Sequence, residues 1–180
     1  MYIGYNVNKI NEVMQDVNAA CVSFSSKVGN SFESVKSSMR REWIGPDQQD
    51  FEEELIKRLN KLLENTKALA INTNQNLYNL GVAWADFQDR NTLDGKSTGM
   101  GKQLKSALEK PGKFNVEPIV FSKISFNAGQ NLGLANASSI STVQNSLGTF
   151  VSDIKRDSKM LFEQIDSQNA FFGEGQRNCH

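Results

Sequence analysis

Histidine and cysteine are scarce in this chain, and their scarcity excludes several kinds of active site. The single histidine is the last residue, His180, so a Ser-His or Cys-His pair cannot lie within the long helical segments before it. The two cysteines, Cys21 and Cys179, lie too far apart for a disulfide framework and are interpreted as free thiols. No cysteine or histidine pair has metal-ligand spacing, and the run Glu52-Glu53-Glu54 is interpreted as a solvated cluster. We therefore expect no enzymatic activity, no metal and no cofactor.

The chain also lacks net charge and long apolar runs. Lys plus Arg equals Asp plus Glu, at 20 each, so no net field attracts it to nucleic acid or to an anionic membrane. No segment approaches the roughly 20 apolar residues that span a bilayer, and the N-terminus lacks the pattern of a signal peptide. With 38% hydrophobic residues the chain can still build a core. We expect no nucleic-acid partner, no stable membrane insertion and no Sec signal.

Proline is rare as well, and one of the three prolines divides two long helical patterns. Gly45 accepts backbone angles that other residues resist, and Pro46 has no amide proton, so a helix arriving here must end. A new helix can begin at once, because Pro46 suits the first helical position and Asp47 places negative charge in the first turn. Trp43 gives this turn a large aromatic side chain.

Apolar residues recur every three or four positions on both sides of this turn, which is typical of helices that pack lengthwise on a neighbour. Before the turn they are Val7, Ile10, Met14, Val17, Cys21, Phe24, Val28, Phe32, Val35, Met39 and Trp43. After the turn the spacing continues at Phe51, Leu55, Leu59, Leu62, Thr66, Leu69, Thr73, Leu77, Leu80, Trp84 and Phe87. The pattern predicts a long antiparallel hairpin, which needs further helices to cover its apolar stripe. The predicted packing is a four-helix-bundle-like or an elongated coiled-coil arrangement.

The region after the hairpin is predicted to be a linker with one short helix. Residues 91–102 are rich in glycine and small polar residues, which favours a loop. Met100, Leu104 and Leu108 then indicate a short amphipathic helix before an extended segment. The predicted organisation is a hairpin domain over 1–91, a linker over 92–125 and a further segment over 126–180.

A third long helix is predicted from about Leu134 to about Ala170, and its end resembles the first turn. Phe171, Phe172 and Gly173 align with Trp43-Ile44-Gly45, which predicts a second turn there. The chain then reads as one hairpin, a linker and an incomplete second hairpin, and a natural continuation past His180 is expected. Chance similarity between two amphipathic helices is the alternative explanation.

A long helix, Trp-x-Gly in the turn and a second long helix resemble the WXG-motif family of type VII (ESX-like) secretion systems. The resemblance covers about residues 5–90 and rests on Trp43 and Gly45, with Phe51 in the following helix. It implies a helical hairpin that pairs with another hairpin as a four-helix bundle. Family members act as secreted substrates, targeting partners or delivery domains of effectors, and the chain is therefore identified as a possible tandem member.

Two features depart from the family pattern. The family's export signal is an aromatic residue followed four positions later by an acid, whereas Tyr78 is followed by Val82 and Trp84 by Gln88. A partner or a C-terminal continuation would then carry the signal. The chain is also longer than most members, which suggests that it supplies both hairpins.

The leading functional hypothesis is an all-α, non-enzymatic type VII secretion protein that acts through helix-helix interfaces. It would be a secreted substrate, an adaptor or an effector-targeting module, present in the cytoplasm before export and then secreted or at the cell surface. Its partners would be another WXG-like hairpin, a second copy, an effector or the secretion ATPase. The alternatives are the delivery domain of a larger toxin and an amphipathic bundle that opens onto membranes.

The candidate interaction residues follow from the turn and the apolar stripe. At the turn they are Trp43, Ile44 and Gly45, where Trp43 either plugs the bundle end or contacts a secretion component. The predicted second turn adds Phe171, Phe172 and Gly173. The predicted partner seam consists of Phe51, Leu55, Leu59, Trp84 and Phe87, although packing within the chain itself is the alternative for Trp84 and Phe87.

Overall fold

The computed structural model describes residues 6–90 and 99–177, with side chains described as far as residue 168. The described chain is all-α and bundle-like, with three long helices and one short helix, which confirms the predicted fold class. The elements are α1 (Val7–Glu42), β1 (Trp43–Ile44), α2 (Pro46–Arg90), α3 (Met100–Ala107), β2 (Gly133–Leu134) and α4 (Ser139–Arg177).

Local signals account for the ends of the hairpin helices. Asn6 caps α1, since its side-chain oxygen accepts the backbone N–H groups of Asn8 at 3.0 Å and Lys9 at 3.3 Å. Gly45 has a φ of 158°, and its carbonyl accepts the N–H of Gln49 at 3.2 Å, the first helical bond of α2. The predicted stop and restart at Gly45 and Pro46 are therefore confirmed.

The described residues form two compact units, each assembled from separate parts of the chain. The first unit draws on Met1–Cys21, Lys67–Asn115 and Leu161–His180. The second unit draws on Val22–Thr66 and Val116–Met160. Each unit thus combines residues that the sequence analysis assigned to the hairpin, the linker and the third helix. The sequence-based division at 91 and 125 stays a prediction.

In the first unit, α2 contacts α1 through an amide side chain and contacts α3 through a glycine. Asn74 on α2 donates to the carbonyl oxygen of Met14 at 3.1 Å and to the side chain of Asn18 at 2.7 Å. A Cβ atom added to Gly101 of α3 would lie 2.2 Å from the carbonyl oxygen of Ala85, so only glycine fits at this contact. The predicted short helix is confirmed, and it lies against α2.

In the second unit, α1 and α4 pack through large aromatic side chains. The rings of Phe32 and Phe150 are 6.2 Å apart, and both side chains are buried. The hydroxyls of Ser38 and Ser146 hydrogen-bond at 3.1 Å on the same pair of helices. Part of α4 therefore covers the apolar face of α1 that the sequence analysis expected another helix to cover.

The predicted second turn is wrong. Helix α4 continues as far as Arg177, so the backbone of Phe171, Phe172 and Gly173 is helical. A glycine inside a helix costs only about 0.5–1 kcal/mol relative to alanine, and no proline follows Gly173 to remove a helical donor. The aromatic-glycine pattern at Phe171–Gly173 has no counterpart of Pro46, the residue that forces the first helix to end.

The apolar stripe of α2 was predicted partly on the wrong face. Buried positions on this helix include Ile56, Leu59, Leu63, Thr66, Ala70, Thr73, Leu77 and Ala85. Leu55, Leu62 and Leu69 are only half-buried. Two apolar stripes lie side by side on α2, and the predicted stripe took residues from both. A shift of one residue turns the helix by about 100°, so neighbouring positions such as Leu55 and Ile56 face different sides.

Candidate interaction site at the helix turn

Trp43 is held in one orientation by the first turn of α2. Its indole N–H donates to the carboxylate of Asp47 at 3.0 Å, and its ring lies 5.9 Å from the ring of Phe51 at an interplanar angle of 44°. Asp47 and Phe51 are four residues apart, so they lie on the same face of α2. The turn therefore presents an ordered aromatic pair.

Gly45 supports this arrangement through its backbone. A Cβ atom at this position would lie 2.8 Å from the side-chain oxygen Oδ1 of Asp47. The φ of 158° is also one that other residues rarely adopt. A side chain at position 45 would therefore displace the carboxylate that accepts the Trp43 indole proton, which gives a physical reason for glycine two residues after the tryptophan.

A segment about 90 positions later in the chain pairs with the turn. β1 and β2 are antiparallel, with Trp43 opposite Leu134 and Ile44 opposite Gly133. The N–H of Ala135 also donates to the carbonyl oxygen of Glu42 at 2.9 Å. The sequence analysis missed this pairing, because two-residue strands carry no periodicity. The local sequence offered only a glycine, Gly133, as a sign of an unusual backbone conformation, and its φ in the structure is 114°.

Glu42 joins the turn to the start of α4. The buried hydroxyl of Ser139 donates to the carboxylate of Glu42 at 2.9 Å, and Arg41 donates to the same carboxylate at 3.2 Å. These two bonds, that of Ser139 first, hold the pKa of Glu42 below its ordinary value of 4.5. The contact contributes stability above pH 4.5 and loses it as the pH falls through the lowered pKa.

A buried polar cluster lies beside the turn in the second unit. The guanidinium of Arg40 forms two bonds to the carboxylate of Glu52, at 2.9 and 2.6 Å, and Gln48 donates to the same carboxylate at 2.8 Å. Glu52 is fully buried, so its interpretation as a solvated residue is wrong. The bidentate bonds from Arg40 offset part of the cost of burying the charge of Glu52, and Arg40 is 12 positions earlier in the chain.

Apolar side chains around the turn remain open to solvent. Phe51 is 39% exposed and Leu134 is 47% exposed, whereas Trp43 and Ile44 are half-buried and Gly45 is buried. We call Trp43, Ile44, Phe51 and Leu134 the turn patch. Trp43 thus combines a packing role with an accessible ring, and Gly45 acts only through its backbone.

The predicted partner seam is divided by the structure. Leu59 is 6% exposed and belongs to the core of the second unit, so it cannot be offered to a partner. Leu55 is half-buried. Trp84 and Phe87 belong to the first unit, where their rings stack at 5.4 Å with an interplanar angle of 18°. Only Phe51 of this set lies at the turn patch.

The remaining candidate reactive groups are one cysteine in α1 and the acidic side chains of the described residues. Cys21 is a free, buried thiol; burial raises its pKa to about 11, and the charge of Lys67 offsets this only in part. Among the side chains described, those of residues 6–90 and 99–168, no group of three Cys, His, Asp or Glu residues could hold a metal ion. Cys179 and His180 lie outside the described residues. None of the helices described is long and apolar enough to cross a membrane.

Comparisons with known proteins returned no match: no protein-family model, no curated protein and no solved structure corresponds to this chain. The resemblance to the WXG-motif family therefore rests on the residues of the turn and on the two arms beside it.

Proposed function

We propose that this protein is a non-enzymatic component of a type VII secretion pathway. It acts through interfaces with other helical proteins, as a secreted substrate, an adaptor or an effector-targeting module. It is present in the cytoplasm before export and is then secreted or at the cell surface. The observation that supports this proposal is the fixed and partly accessible Trp43 at a Trp-x-Gly turn between two long helices.

The turn patch has the properties of a protein-binding anchor. A ring that is already ordered loses little conformational entropy on binding, and Asp47 and Phe51 order the Trp43 ring in the unbound chain. Exposed apolar side chains beside a tryptophan also supply the area that a binding hot spot needs. We expect a partner helix or hairpin to cover Trp43, Phe51 and Leu134 together.

The substitution Trp43→Ala tests the proposal in the native host. We expect secretion of the protein, and its co-purification with its partner, to fall by about tenfold or more, since truncating a hot-spot aromatic at an interface costs about 2 kcal/mol or more. Far-UV circular dichroism should retain the helical signal, because α1 and α2 do not depend on the indole. Asp47→Ala should give a smaller loss, since it frees the ring without removing it.

Phe162→Ala is the matched control, because Phe162 is another aromatic, 41% exposed, on α4 of the first unit. We expect this variant to be secreted and to bind as the unaltered protein does. Normal secretion and normal partner capture by Trp43→Ala would refute the proposed role of the turn.

A further inference from the structure

Residues 116–126, which we call the strap, cross the second unit as an extended segment without helix or strand. None of their side chains is fully buried. The half-buried side chains are Val116, Ile119, Phe121, Ile124 and Phe126, and the others are exposed. Side-chain burial alone therefore holds this segment weakly.

The strap is fastened by hydrogen bonds from its main chain to side chains of the hairpin. Asn60 on α2 accepts the N–H of Ile119 at 2.8 Å and donates to the carbonyl oxygen of the same residue at 2.9 Å. This side-chain amide thus satisfies both main-chain groups of one residue, as a neighbouring β-strand would. Among the described residues, no main-chain group outside the strap bonds to its main chain.

Two further side chains extend this contact along the strap. Gln49 on α2 accepts the N–H of Ile124 at 2.8 Å, and Arg40 on α1 donates to the carbonyl oxygen of Ser122 at 2.9 Å. All these bonds go to main-chain groups. They would form with any residue except proline at positions 119 and 124, so they do not depend on the side chains of the strap.

The spacing of the two amides matches an extended chain. Gln49 and Asn60 are 11 residues apart on α2, which is about three turns and roughly 16 Å, so both face the same side of the helix. Ile119 and Ile124 are five residues apart, and an extended backbone covers roughly 17 Å over five residues. This face of α2 therefore has the geometry to bind extended polypeptide in general.

The strap itself fits this face incompletely. Gln49 is 5% exposed, and its Nε2 group is buried without a hydrogen-bond partner, although its Oε1 atom accepts from Ile124. Asn60, by contrast, uses both its donor and its acceptor on the strap. A buried donor left without an acceptor is unfavourable, so a segment that also offered a carbonyl to Gln49 would bind better.

We propose that Arg40, Gln49 and Asn60 form a binding site for an extended segment of a partner protein, and that the strap occupies this site in the free chain. The partner segment carries apolar side chains at the spacing of Ile119, Phe121, Ile124 and Phe126. Main-chain hydrogen bonds supply the affinity and the apolar spacing supplies the selectivity, as in other recognition of extended peptides. The proposal does not depend on the proposed role in secretion.

A competition experiment in the full chain tests this site. The double substitution Ile119→Pro and Ile124→Pro removes the two N–H donors of the strap and should release it. A fluorescent peptide of the unaltered residues 115–127 is then titrated into both proteins, with fluorescence anisotropy as the readout. We expect saturable binding to the double variant and at least about tenfold weaker binding to the unaltered chain, in which the strap competes.

Two matched changes decide whether binding occurs at the proposed site. Adding Asn60→Ala to the double variant should weaken peptide binding by about tenfold or more, because both bonds to position 119 are lost. Adding Asn65→Ala, an exposed asparagine on the same helix, should change nothing. A peptide with proline at both positions should not bind. Absent binding to a double variant with unaltered circular dichroism, or equal binding of both peptides, would overturn the proposal.

Hydrogen exchange of the unaltered chain gives a second test that does not depend on folding of the double variant. The amides of Ile119 and Ile124 should exchange about 100-fold or more faster than those of Ile56 and Leu63 in α2, because the strap opens without global unfolding. Asn60→Ala should accelerate exchange at Ile119 and leave Ile56 unchanged. Equal protection of the strap and α2 would show that the site never becomes free, and the proposal would fail.

Discussion

The two compact units keep the same helices together by different means. In the first unit, α2 and α3 meet at Gly101 against Ala85, where no side chain separates the backbones, and the amide of Asn74 joins α1 to α2. In the second unit, the space is filled by Phe32 and Phe150, and α1 is joined to α2 by the Arg40–Glu52 ion pair.

This difference predicts opposite sensitivities to mutation. A close main-chain contact has no room for added atoms, whereas a contact between large rings depends on the volume that those rings fill. Enlarging the side chain at Gly101 should therefore harm the first unit, and truncating Phe32 should harm the second. Three substitutions test the comparison.

The largest effect is expected in the second unit for Phe32→Ala. Phe32 is 0% exposed and packs against Phe150, so its loss leaves a cavity that the surrounding helices fill only in part. We expect the free energy of unfolding to fall by about 4 kcal/mol. Urea denaturation followed by circular dichroism measures this change, and Phe162→Ala, at a 41% exposed ring, is the control. A loss of under about 1 kcal/mol would contradict the importance of ring volume here.

An intermediate effect is expected in the first unit for Gly101→Ala. The new Cβ atom would lie 2.2 Å from the carbonyl oxygen of Ala85, and a helical backbone cannot move aside as a side chain does. We expect a destabilisation of about 2 kcal/mol, seen in urea denaturation and as faster hydrogen exchange in α3.

Gly29→Ala is the matched control for this change, because nothing besides the adjacent residues and backbone of its own helix lies within 4 Å of the Cβ position at Gly29 in α1 of the second unit. This variant should instead stabilise the protein by about 0.5–1 kcal/mol, since alanine favours a helix interior over glycine. The same sign for the two glycine substitutions would remove the contrast between the units.

The smallest effect is expected for Ser139→Ala, which removes the donor to Glu42 in the second unit. The native contact stabilises the folded state only while the carboxylate is charged, because the folded pKa of Glu42 lies below 4.5. The variant should therefore melt at a lower temperature than the unaltered chain above pH 5, and the difference should shrink as the pH falls below 4.5. A difference that is the same at all pH values would show that Glu42 is not involved.

Local sequence signals predicted most of the hairpin. Gly45 with Pro46 as the turn and the position of Met100 in a short helix both depend on interactions within a few residues. The same reasoning failed at Gly173, because an aromatic followed by glycine does not end a helix unless something removes a donor or requires a positive φ.

The candidate site was predictable only in its central residues. Trp43 and Gly45 were found because Gly45 and Pro46 end one helix and start another, and Trp43 adds a large aromatic side chain to that turn. Leu134 and Ser139 were not found, since they reach the turn from more than 90 positions away. Glu52 was misjudged because its burial depends on Arg40, a residue of the other helix.

The sequence by itself determined the all-α class, the two arms and the turn between them. Helix periodicity, capping and the backbone limits of glycine and proline are local and need no partner. Only the tertiary structure decided which apolar stripe of α2 faces the core and that β2 pairs with Trp43. It also decided that the strap forms hydrogen bonds with Asn60 and Gln49. Those features consist of contacts between residues that are far apart in the sequence. Such contacts produce no local sequence pattern, so they could not be predicted from the residues around either partner.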